Sequence, residues 1–347
     1  MNLKQLMSIN FKKGIMNAII FMFFVSLTFY IILKDCNMVE LIETIKIVDL
    51  RFIILAIVCM FFFILSEGIN IKRTLKLLNY KICFTNSLKY AFVGFFFSSV
   101  TPSASGGDPM QLYFMKKDGL PIGHSTLAIL TEFSSFQFVT IISALIGFIT
   151  NYKFIENSIG KIKYFLVLGV FINFGILIII LLTMFSRKLI IKFIKLICKI
   201  LKKIRYKNIK KFRKICFKQI KEYKIGSNLL LKNKKMLLKI ILTTFIQIVL
   251  YHSIPYLVYL SFGLNGANFF QFISLQAVLY ISVSAIPLPG AVGVSEGGFL
   301  SIYKLLFPTE LLTSAMLLSR GVSFYLFVVI SGISVLYFSL IKKRGQS

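Results

Sequence analysis

Two short stretches rich in proline, glycine and serine decide how this chain folds. Residues 98–121 read SSVTPSASGGDPMQLYFMKKDGLP, and residues 287–299 read PLPGAVGVSEGGF. Each directly follows an apolar run and contains residues that end helices. Inside a bilayer, non-helical backbone is tolerated only where it is buried in protein or lines a wet cavity. The two stretches therefore predict helices broken at a turn, and the alternative is a pair of ordinary loops outside the membrane.

The composition places these stretches in a membrane protein. Of the 347 residues, 57% are hydrophobic, 15% are charged and 37 are phenylalanine. A soluble domain contains roughly 45–50% apolar and about 25% charged residues. The chain is too apolar to cover one core with a polar surface, which excludes a soluble enzyme, a disordered protein and a disulfide-rich secreted domain.

Six apolar stretches approach the roughly 20 residues that a transmembrane helix needs. These predicted spans are Gly14–Leu33, Leu50–Ser66, Ile122–Ile149, Tyr164–Phe185, Ile240–Phe262 and Leu311–Leu340. The first is predicted to be a retained span, because no small-residue cleavage site follows it. Two further apolar runs, Leu88–Val100 and Phe269–Ile286, lead into the two Pro/Gly-rich stretches.

The charge distribution predicts how the spans are oriented. Residues 186–239 contain twenty Lys and Arg residues and one acid, Glu222, and such loops face the cytoplasm. With the N-terminus in the cytoplasm, this segment lies on the inner side only if residues 88–120 enter the membrane and return to the same side. By the same argument, residues 269–308 enter and return if the C-terminus is also inside. We therefore predict an all-α polytopic membrane protein with about eight apolar helices, six full spans plus two broken, re-entrant hairpins. Residues 1–347 form one integral membrane domain, and its halves, 1–185 and 240–340, form an inverted repeat.

The basic segment 186–239 has lysines at helical spacing with isoleucine and phenylalanine between them. This pattern predicts amphipathic helices on an anionic inner leaflet. The lysines predicted to contact that surface are Lys192, Lys195, Lys199, Lys211, Lys214 and Lys218. Docking of tRNA or of a separate synthase is the alternative, and nucleic acid is disfavoured because the stripe has no nucleic-acid-binding fold.

The candidate site combines the two turns with ionisable residues in apolar spans. Asp108 and Glu296 each lie beside glycines in a turn, and Glu132 and Arg320 each follow 24 residues later. Ionisable groups inside a membrane are costly and usually mark a pathway, and broken helices direct their N–H groups at anions. The predicted substrate-binding residues are Pro102, Gly106, Gly107, Asp108, Glu132, Pro289, Gly290, Gly293, Glu296, Gly297 and Arg320.

Other chemistry finds little support in the sequence. The five cysteines have no metal-ligand spacing, and we expect no cofactor and no metal. Residues 293–297 match the G-x-S-x-G pattern of hydrolases, but no histidine follows Ser295. We therefore expect no catalytic residues in the chain.

The two motifs and Arg320 resemble the membrane domain of the lysylphosphatidylglycerol synthases, the flippase-like family that includes the bacterial multiple peptide resistance factor. The resemblance covers nearly the whole chain, and the GGD-P and PGxxGxxEGG motifs together are fairly specific. Relatives carry Arg after the acid that matches Glu132, whereas this chain has Phe133. The resemblance implies that another group, such as Arg320, compensates Glu132. It also implies that the soluble synthase domain is absent, because the chain ends soon after Leu340.

The resemblance implies a function in lipid transport. The expected activity is translocation of an anionic or aminoacylated phospholipid, such as lysylphosphatidylglycerol, or of a polyprenyl-linked lipid, with a contribution to cationic peptide and antibiotic resistance. The alternatives are a phosphatidylglycerol lysyltransferase that uses lysyl-tRNA and a partner subunit of a separate synthase. The expected location is a bacterial cell membrane, with both termini in the cytoplasm.

Overall fold

The computed structural model describes residues 43–152, 162–185, 223–284 and 286–344, and this part of the chain contains helices and no strand. The helices, numbered in chain order, are α1 Leu50–Leu77, α2 Phe84–Ser99, α3 Gly107–Lys117, α4 Ile122–Thr150, α5 Ile162–Phe185, α6 Lys234–His252, α7 Ile254–Ser261, α8 Phe269–Ser284, α9 Val294–Tyr303, α10 Thr309–Arg320 and α11 Leu326–Arg344. Residues 223–232 are also helical. Pro102–Ala104 and Pro289–Ala291 form 3₁₀ turns, and Gly321–Tyr325 forms a π-helical turn.

The predicted membrane spans correspond to long apolar helices. Four helical stretches are long and apolar enough to cross a bilayer, Leu50–Leu77, Ile122–Thr150, Lys234–Ser261 and Thr309–Ser339. Helix α5 has 24 residues, and at 1.5 Å per residue its length of about 36 Å also exceeds the hydrocarbon thickness. The all-α polytopic fold is confirmed. The predicted span Gly14–Leu33 and the six predicted surface lysines lie outside the described residues.

Two of the predicted span boundaries were wrong. Helix α1 continues past Ser66 to Leu77, although this part carries several polar residues. Its buried residues Met60, Ile64, Ile71 and Leu75 keep one apolar face throughout, so the helix has no reason to end. The span predicted to begin at Ile240 begins at Lys234, and it is interrupted at Ser253 because Pro255 has no N–H to donate.

Both Pro/Gly-rich stretches form helical hairpins. In the first hairpin, α2 packs on α3 so closely that a Cβ atom on Gly107 would lie 2.0 Å from Ser98 Oγ. At its open end, Asp118 binds Lys89 Nζ and accepts a hydrogen bond of 2.8 Å from the Tyr90 hydroxyl. In the second hairpin, α8 packs on α9, and the Tyr303 hydroxyl donates to Gln276 Oε1 at 3.0 Å.

The two halves repeat the same order of helices. Pro102 and Pro289 are 187 residues apart, and so are Pro121 and Pro308, which precede α4 and α10. At this spacing α1 corresponds to α6–α7, α2 to α8, α3 to α9, and α4 to α10–α11. The structural repeat therefore covers residues 50–150 and 234–339.

The repeat is inverted. The backbone N–H of Asp49 donates to Ser261 O at 2.8 Å, and Asn70 Nδ2 donates to Thr244 Oγ1 at 3.1 Å. The equivalent helices α1 and α6–α7 thus lie side by side and antiparallel. The remaining contacts are exchanged symmetrically, since α2 packs on α11 and α8 packs on α4. These contacts define a pseudo-two-fold axis perpendicular to the helices, and they confirm the predicted inverted repeat.

The outer surface of the helices is apolar. On α5, Phe171 is 71% exposed and Ile179 is 62% exposed, and α1 exposes Leu50, Ile54 and Phe62. Apolar patches of this extent are unfavourable in water. These exposed apolar side chains are suited to contact with lipid chains.

Candidate functional site

The two 3₁₀ turns have nearly the same backbone conformation. Ser103 and Ala104 have φ values of 51° and 53°, and Gly290 and Ala291 have φ values of 59° and 50°. Positive φ is strained for serine and alanine, and such strain is retained where the surrounding structure imposes it. In each half the next helix begins five residues after the proline, and the two turns pack against each other. The two broken segments, which the sequence analysis combined in one candidate site, therefore meet in the structure.

Arg320 and Glu296 form a buried ion pair beside the second turn. Arg320 Nε lies 2.8 Å from Glu296 Oε1, and the two side chains are 8% and 2% exposed. Arg320 Nη2 also donates to the carbonyl oxygen of Gly290 at 3.2 Å. Glu296 accepts two more hydrogen bonds, from the Gly293 N–H at 2.7 Å and from the Tyr325 hydroxyl at 2.8 Å. Arg320 therefore has Glu296 as its acidic partner in the structure.

Aromatic rings surround the guanidinium group. The Arg320 guanidinium carbon lies 4.4 Å from the centre of the Phe324 ring and 5.8 Å from that of Tyr325. Both rings belong to the π-helical turn that follows Arg320, a distortion that is frequent at functional sites. A Cβ atom on Gly290 would lie 2.1 Å from Phe324 Cζ, so only glycine lets this turn approach the ring.

Glu132 lies in a separate polar network in the first half. Its Oε2 accepts from Asn70 Nδ2 at 3.2 Å, and the same Asn70 amide donates to Thr244 Oγ1. Ser135 and Thr244 share a hydrogen bond of 3.1 Å. Arg320, the group suggested for charge compensation of Glu132, does not have that role in the structure because it is paired with Glu296.

Two more carboxylates lie close to Glu132. Glu67 Oε1 accepts from Gln111 Nε2 at 2.5 Å, and its carboxylate is near enough to those of Glu132 and Asp108 for mutual repulsion. Asp108 is in the first turn of α3 and is exposed. We call Glu67, Asp108 and Glu132 the carboxylate cluster.

Four aromatic side chains lie between the carboxylate cluster and Arg320, and we call them the aromatic layer. The ring centres of Phe63 and Tyr251 are 5.1 Å apart, and those of Phe63 and Phe136 are 6.2 Å apart. Tyr280 lies 5.8 Å from Tyr251 and 6.0 Å from Phe136. Tyr251 also interacts with Arg320.

The aromatic layer separates two polar compartments. On α1, α4 and α6, a polar residue lies one helical turn from the aromatic-layer residue of the same helix, which is Phe63, Phe136 or Tyr251. In each case the polar residue lies toward the same end of the molecule. These residues are Glu67, Glu132 and Gln247. A primarily acidic compartment thus lies on one side of the layer and a buried arginine on the other.

The predicted site residues fall into these compartments and into the turns. Gly290, Gly293, Glu296 and Arg320 are brought together, and Asp108 and Glu132 join the carboxylate cluster. Pro102 and Pro289 begin the two turns. Gly106 N–H donates to Thr101 Oγ1 at 2.8 Å, and Gly107 packs on α2. Gly297 is exposed, and no atom lies within 4 Å of a Cβ built on it.

The comparison with protein families decides which family this arrangement represents. The model described as "Lysylphosphatidylglycerol synthase TM region" matches residues 15–332. The chain belongs to this family. A UPF0104 membrane protein from Archaeoglobus fulgidus is 25% identical over 293 residues, which cover 81% of this chain and 84% of the relative. A UPF0104 membrane protein from Pyrococcus horikoshii is 24% identical over 297 residues, covering 83% and 87%.

Several site residues of this member of the lysylphosphatidylglycerol synthase transmembrane-region family were not predicted from the sequence, among them Glu67, Gln247 and Tyr251. Glu67 lies just beyond the predicted span Leu50–Ser66. Gln247 and Tyr251 lie in the fifth predicted span, Ile240–Phe262, and have no predicted role. The continuing apolar face of α1 was the signal that would have extended the helix and placed Glu67 inside it.

Proposed function

We propose that this protein translocates a phospholipid with an anionic headgroup, and that Arg320 binds the phosphate. One observation carries the proposal: the broken segments of two inverted halves meet beside a buried guanidinium. Broken helices in corresponding positions of two repeats are typical of transporter binding sites. The membrane and the family are established, and the lipid and its movement are the proposal.

The chemistry of Arg320 suits a phosphate. A guanidinium has five N–H donors in a planar fork, and the contacts with Glu296 and Gly290 use two nitrogens. A buried arginine without an anion is strongly unfavourable. We infer that Glu296 holds the guanidinium when lipid is absent and that the phosphate takes its place when lipid enters. The exchange of one anion for another keeps the positive charge compensated throughout.

The inverted repeat supplies a route across the membrane. The two hairpins are equivalent by the pseudo-two-fold axis, so each can open toward one side in turn. The lipid chains remain outside, against the exposed apolar faces of α1 and α5, while the headgroup passes between the halves. A headgroup that crosses in this way avoids the cost of moving a bare charge through hydrocarbon.

The proposed lipids are phosphatidylglycerol, its lysyl ester or a polyprenyl-linked lipid. Export of the lysyl ester would lower the negative charge of the outer leaflet, which is the basis for the proposed contribution to cationic peptide and antibiotic resistance. We further propose a location in a bacterial cell membrane with both termini in the cytoplasm. The basic segment 186–239 would lie on the anionic inner leaflet.

Lipid analysis of each leaflet, in cells with and without the gene, tests the proposal. Translocation predicts an unchanged lipid inventory with altered sidedness. A new or missing aminoacylated lipid would instead support a phosphatidylglycerol lysyltransferase, the activity that the family description suggests. A change of inventory that also needs a second gene would support a partner subunit of a separate synthase.

A further inference from the structure

The carboxylate cluster has no positively charged partner within the described residues. Ion pairs in this part of the chain join Lys89 to Asp118 and Arg320 to Glu296, and neither includes the cluster. Arg73 lies one helical turn from Asn70, but its guanidinium donates to Asn70 Oδ1, to Thr243 and to the carbonyl oxygen of Lys239. Three acidic groups therefore share one region without a described neutralising cation.

The hydrogen-bond donors around the cluster are few and already oriented. Arg73 occupies the Asn70 oxygen, and this fixes the Asn70 amide nitrogen toward Glu132 and Thr244. Gln111 supplies one donor to Glu67. A carboxylate offers about four lone-pair positions, so each of these groups retains acceptor capacity.

Gln247 adds an independent sign of a missing donor. It is 1% exposed, and its amide bonds Glu132, yet its Oε1 atom has no hydrogen-bond partner in the described structure. An unsatisfied buried acceptor is destabilising. Gln247 lies one turn from Thr244, on the helix face that meets Asn70, so its free oxygen is at the cluster. The unsatisfied buried atom identified at the cluster, Gln247 Oε1, is thus an acceptor.

The geometry of these acceptors favours an ammonium group. The described residues contain no group of three His, Cys, Asp or Glu side chains arranged to hold a metal ion. An ammonium group makes longer contacts and brings three donors, so more widely spaced acceptors can surround it. The neighbouring aromatic layer can stabilise a cation through its ring faces. Asp108 is exposed and Glu67 is half-buried, so the cluster is open to a ligand.

We propose that Glu67, Asp108, Glu132 and Gln247 bind the primary ammonium group of an amine-bearing lipid headgroup, a role that rests on the proposed lipid translocation. The headgroup then spans two compartments, with its phosphate at Arg320 and its ammonium at the cluster. The aromatic layer keeps the two opposite charges of the protein apart. Glu296 has no part in ammonium binding because it is occupied by Arg320, Tyr325 and Gly293.

Binding of two short-chain lipids to the full-length protein in detergent tests the proposal. The probes are dihexanoyl lysylphosphatidylglycerol and dihexanoyl phosphatidylglycerol, which share the phosphate and differ in the ammonium group. We expect the wild-type protein to prefer the lysyl lipid by about tenfold, equivalent to ~1.4 kcal/mol. Glu67→Gln and Glu132→Gln should each lower the affinity for the lysyl lipid far more than the affinity for phosphatidylglycerol, and thermal unfolding in detergent shows whether the variants are folded. The matched control is Glu310→Gln, which removes an exposed acid elsewhere.

Competition distinguishes the possible cations. Ethanolamine hydrochloride should compete with the lysyl lipid, and tetramethylammonium chloride, which has no N–H donors, should not. Equal competition by both cations would overturn the proposal, as would Na⁺ binding that depends on Glu67. Ethanolamine that binds as tightly as the lysyl lipid would assign the site to a soluble amine and overturn the lipid assignment.

The two proposals fail separately. Retention of the lysyl preference in both glutamine variants would overturn the ammonium site and leave the phosphate role of Arg320 intact. Undiminished phosphatidylglycerol binding by Arg320→Leu, with loss of lysyl preference in Glu67→Gln, would overturn the phosphate role and support the ammonium site.

Discussion

Arg320 Nε lies 2.8 Å from Glu296 Oε1, and this contact joins the π-helical distortion of the last span to the helix that follows the second turn. Both groups are buried, and each is also bonded to backbone, Arg320 to the Gly290 carbonyl oxygen and Glu296 to the Gly293 N–H. The pair therefore stabilises the shape of the turn and also neutralises the two buried charges. Because the turn packs on its counterpart in the other half, the pair also fixes the interface between the halves.

The first prediction concerns the stability of this pair. Arg320→Met leaves Glu296 as a buried charge without its cation, and loss of one partner of a buried pair costs about 3–5 kcal/mol. Glu296→Met should be similarly destabilising, whereas the double variant should regain most of the lost stability. Thermal unfolding of the three purified variants in detergent measures this. Additive losses in the double variant would contradict the account, because they would mean that the two side chains act independently.

The second prediction concerns the contact between the two turns. In a protein whose native cysteines are replaced by serine, Ala104→Cys and Ala291→Cys should be joined by a short bifunctional maleimide. Transport should stop after linkage, because the hairpins can no longer move apart. Ala104→Cys paired with Ile47→Cys, an exposed position outside the two turns, is the matched control and should not be linked. Linkage without loss of transport would show that the turns do not separate.

The third prediction concerns Gly290. An alanine there places Cβ 2.1 Å from Phe324 Cζ at a φ of 59°, so both the ring and the turn must shift. Gly290→Ala should lower thermal stability, by about 2 kcal/mol or more from overpacking and backbone strain. Gly175→Ala is the control, since no atom lies within 4 Å of its built Cβ. Equal unfolding temperatures for the two variants would disprove the tight approach of Gly290 to Phe324.

The sequence predicted some of the structural features on which these predictions rest, but not all of them. The broken hairpins and the inverted repeat followed from the charge distribution and from the positions of proline and glycine. The 24-residue offset shared by Asp108–Glu132 and Glu296–Arg320 suggested the wrong correspondence, however. The spacing of 187 residues between equivalent prolines places Phe133 opposite Arg320, and Glu132 opposite Ser319.

Side-chain partners were the part that the sequence did not reveal. Hydropathy ends α1 at Ser66 because Glu67, Asn70 and Arg73 look unsuited to a span. The fold gives these polar groups hydrogen-bond partners on α3, α4 and α6, in contacts that join residues 44 to 174 positions apart. Such pairings depend on tertiary packing, and the hydrophobic periodicity of a single helix does not predict them.

The fourth prediction concerns membrane topology. In a cysteine-free background, Lys210→Cys in the basic segment should resist a membrane-impermeant maleimide in intact cells and react after lysis. Asn265→Cys, an exposed position between α7 and α8, is predicted to face outward and should react in intact cells. Labelling of Lys210→Cys from outside would reverse the assigned orientation.

The fifth prediction tests the central claim, that Arg320 carries the lipid headgroup across. Purified protein in phosphatidylglycerol-containing vesicles should expose a labelled short-chain phosphatidylglycerol to an external quencher faster than empty vesicles do. Arg320→Lys should fold and yet lower the rate by about tenfold or more, because one ammonium cannot replace a planar fork that bonds Glu296 and Gly290 in two directions. Arg320→Leu, checked for intact folding, should reduce the rate to that of empty vesicles. Full translocation by the leucine variant would contradict the account.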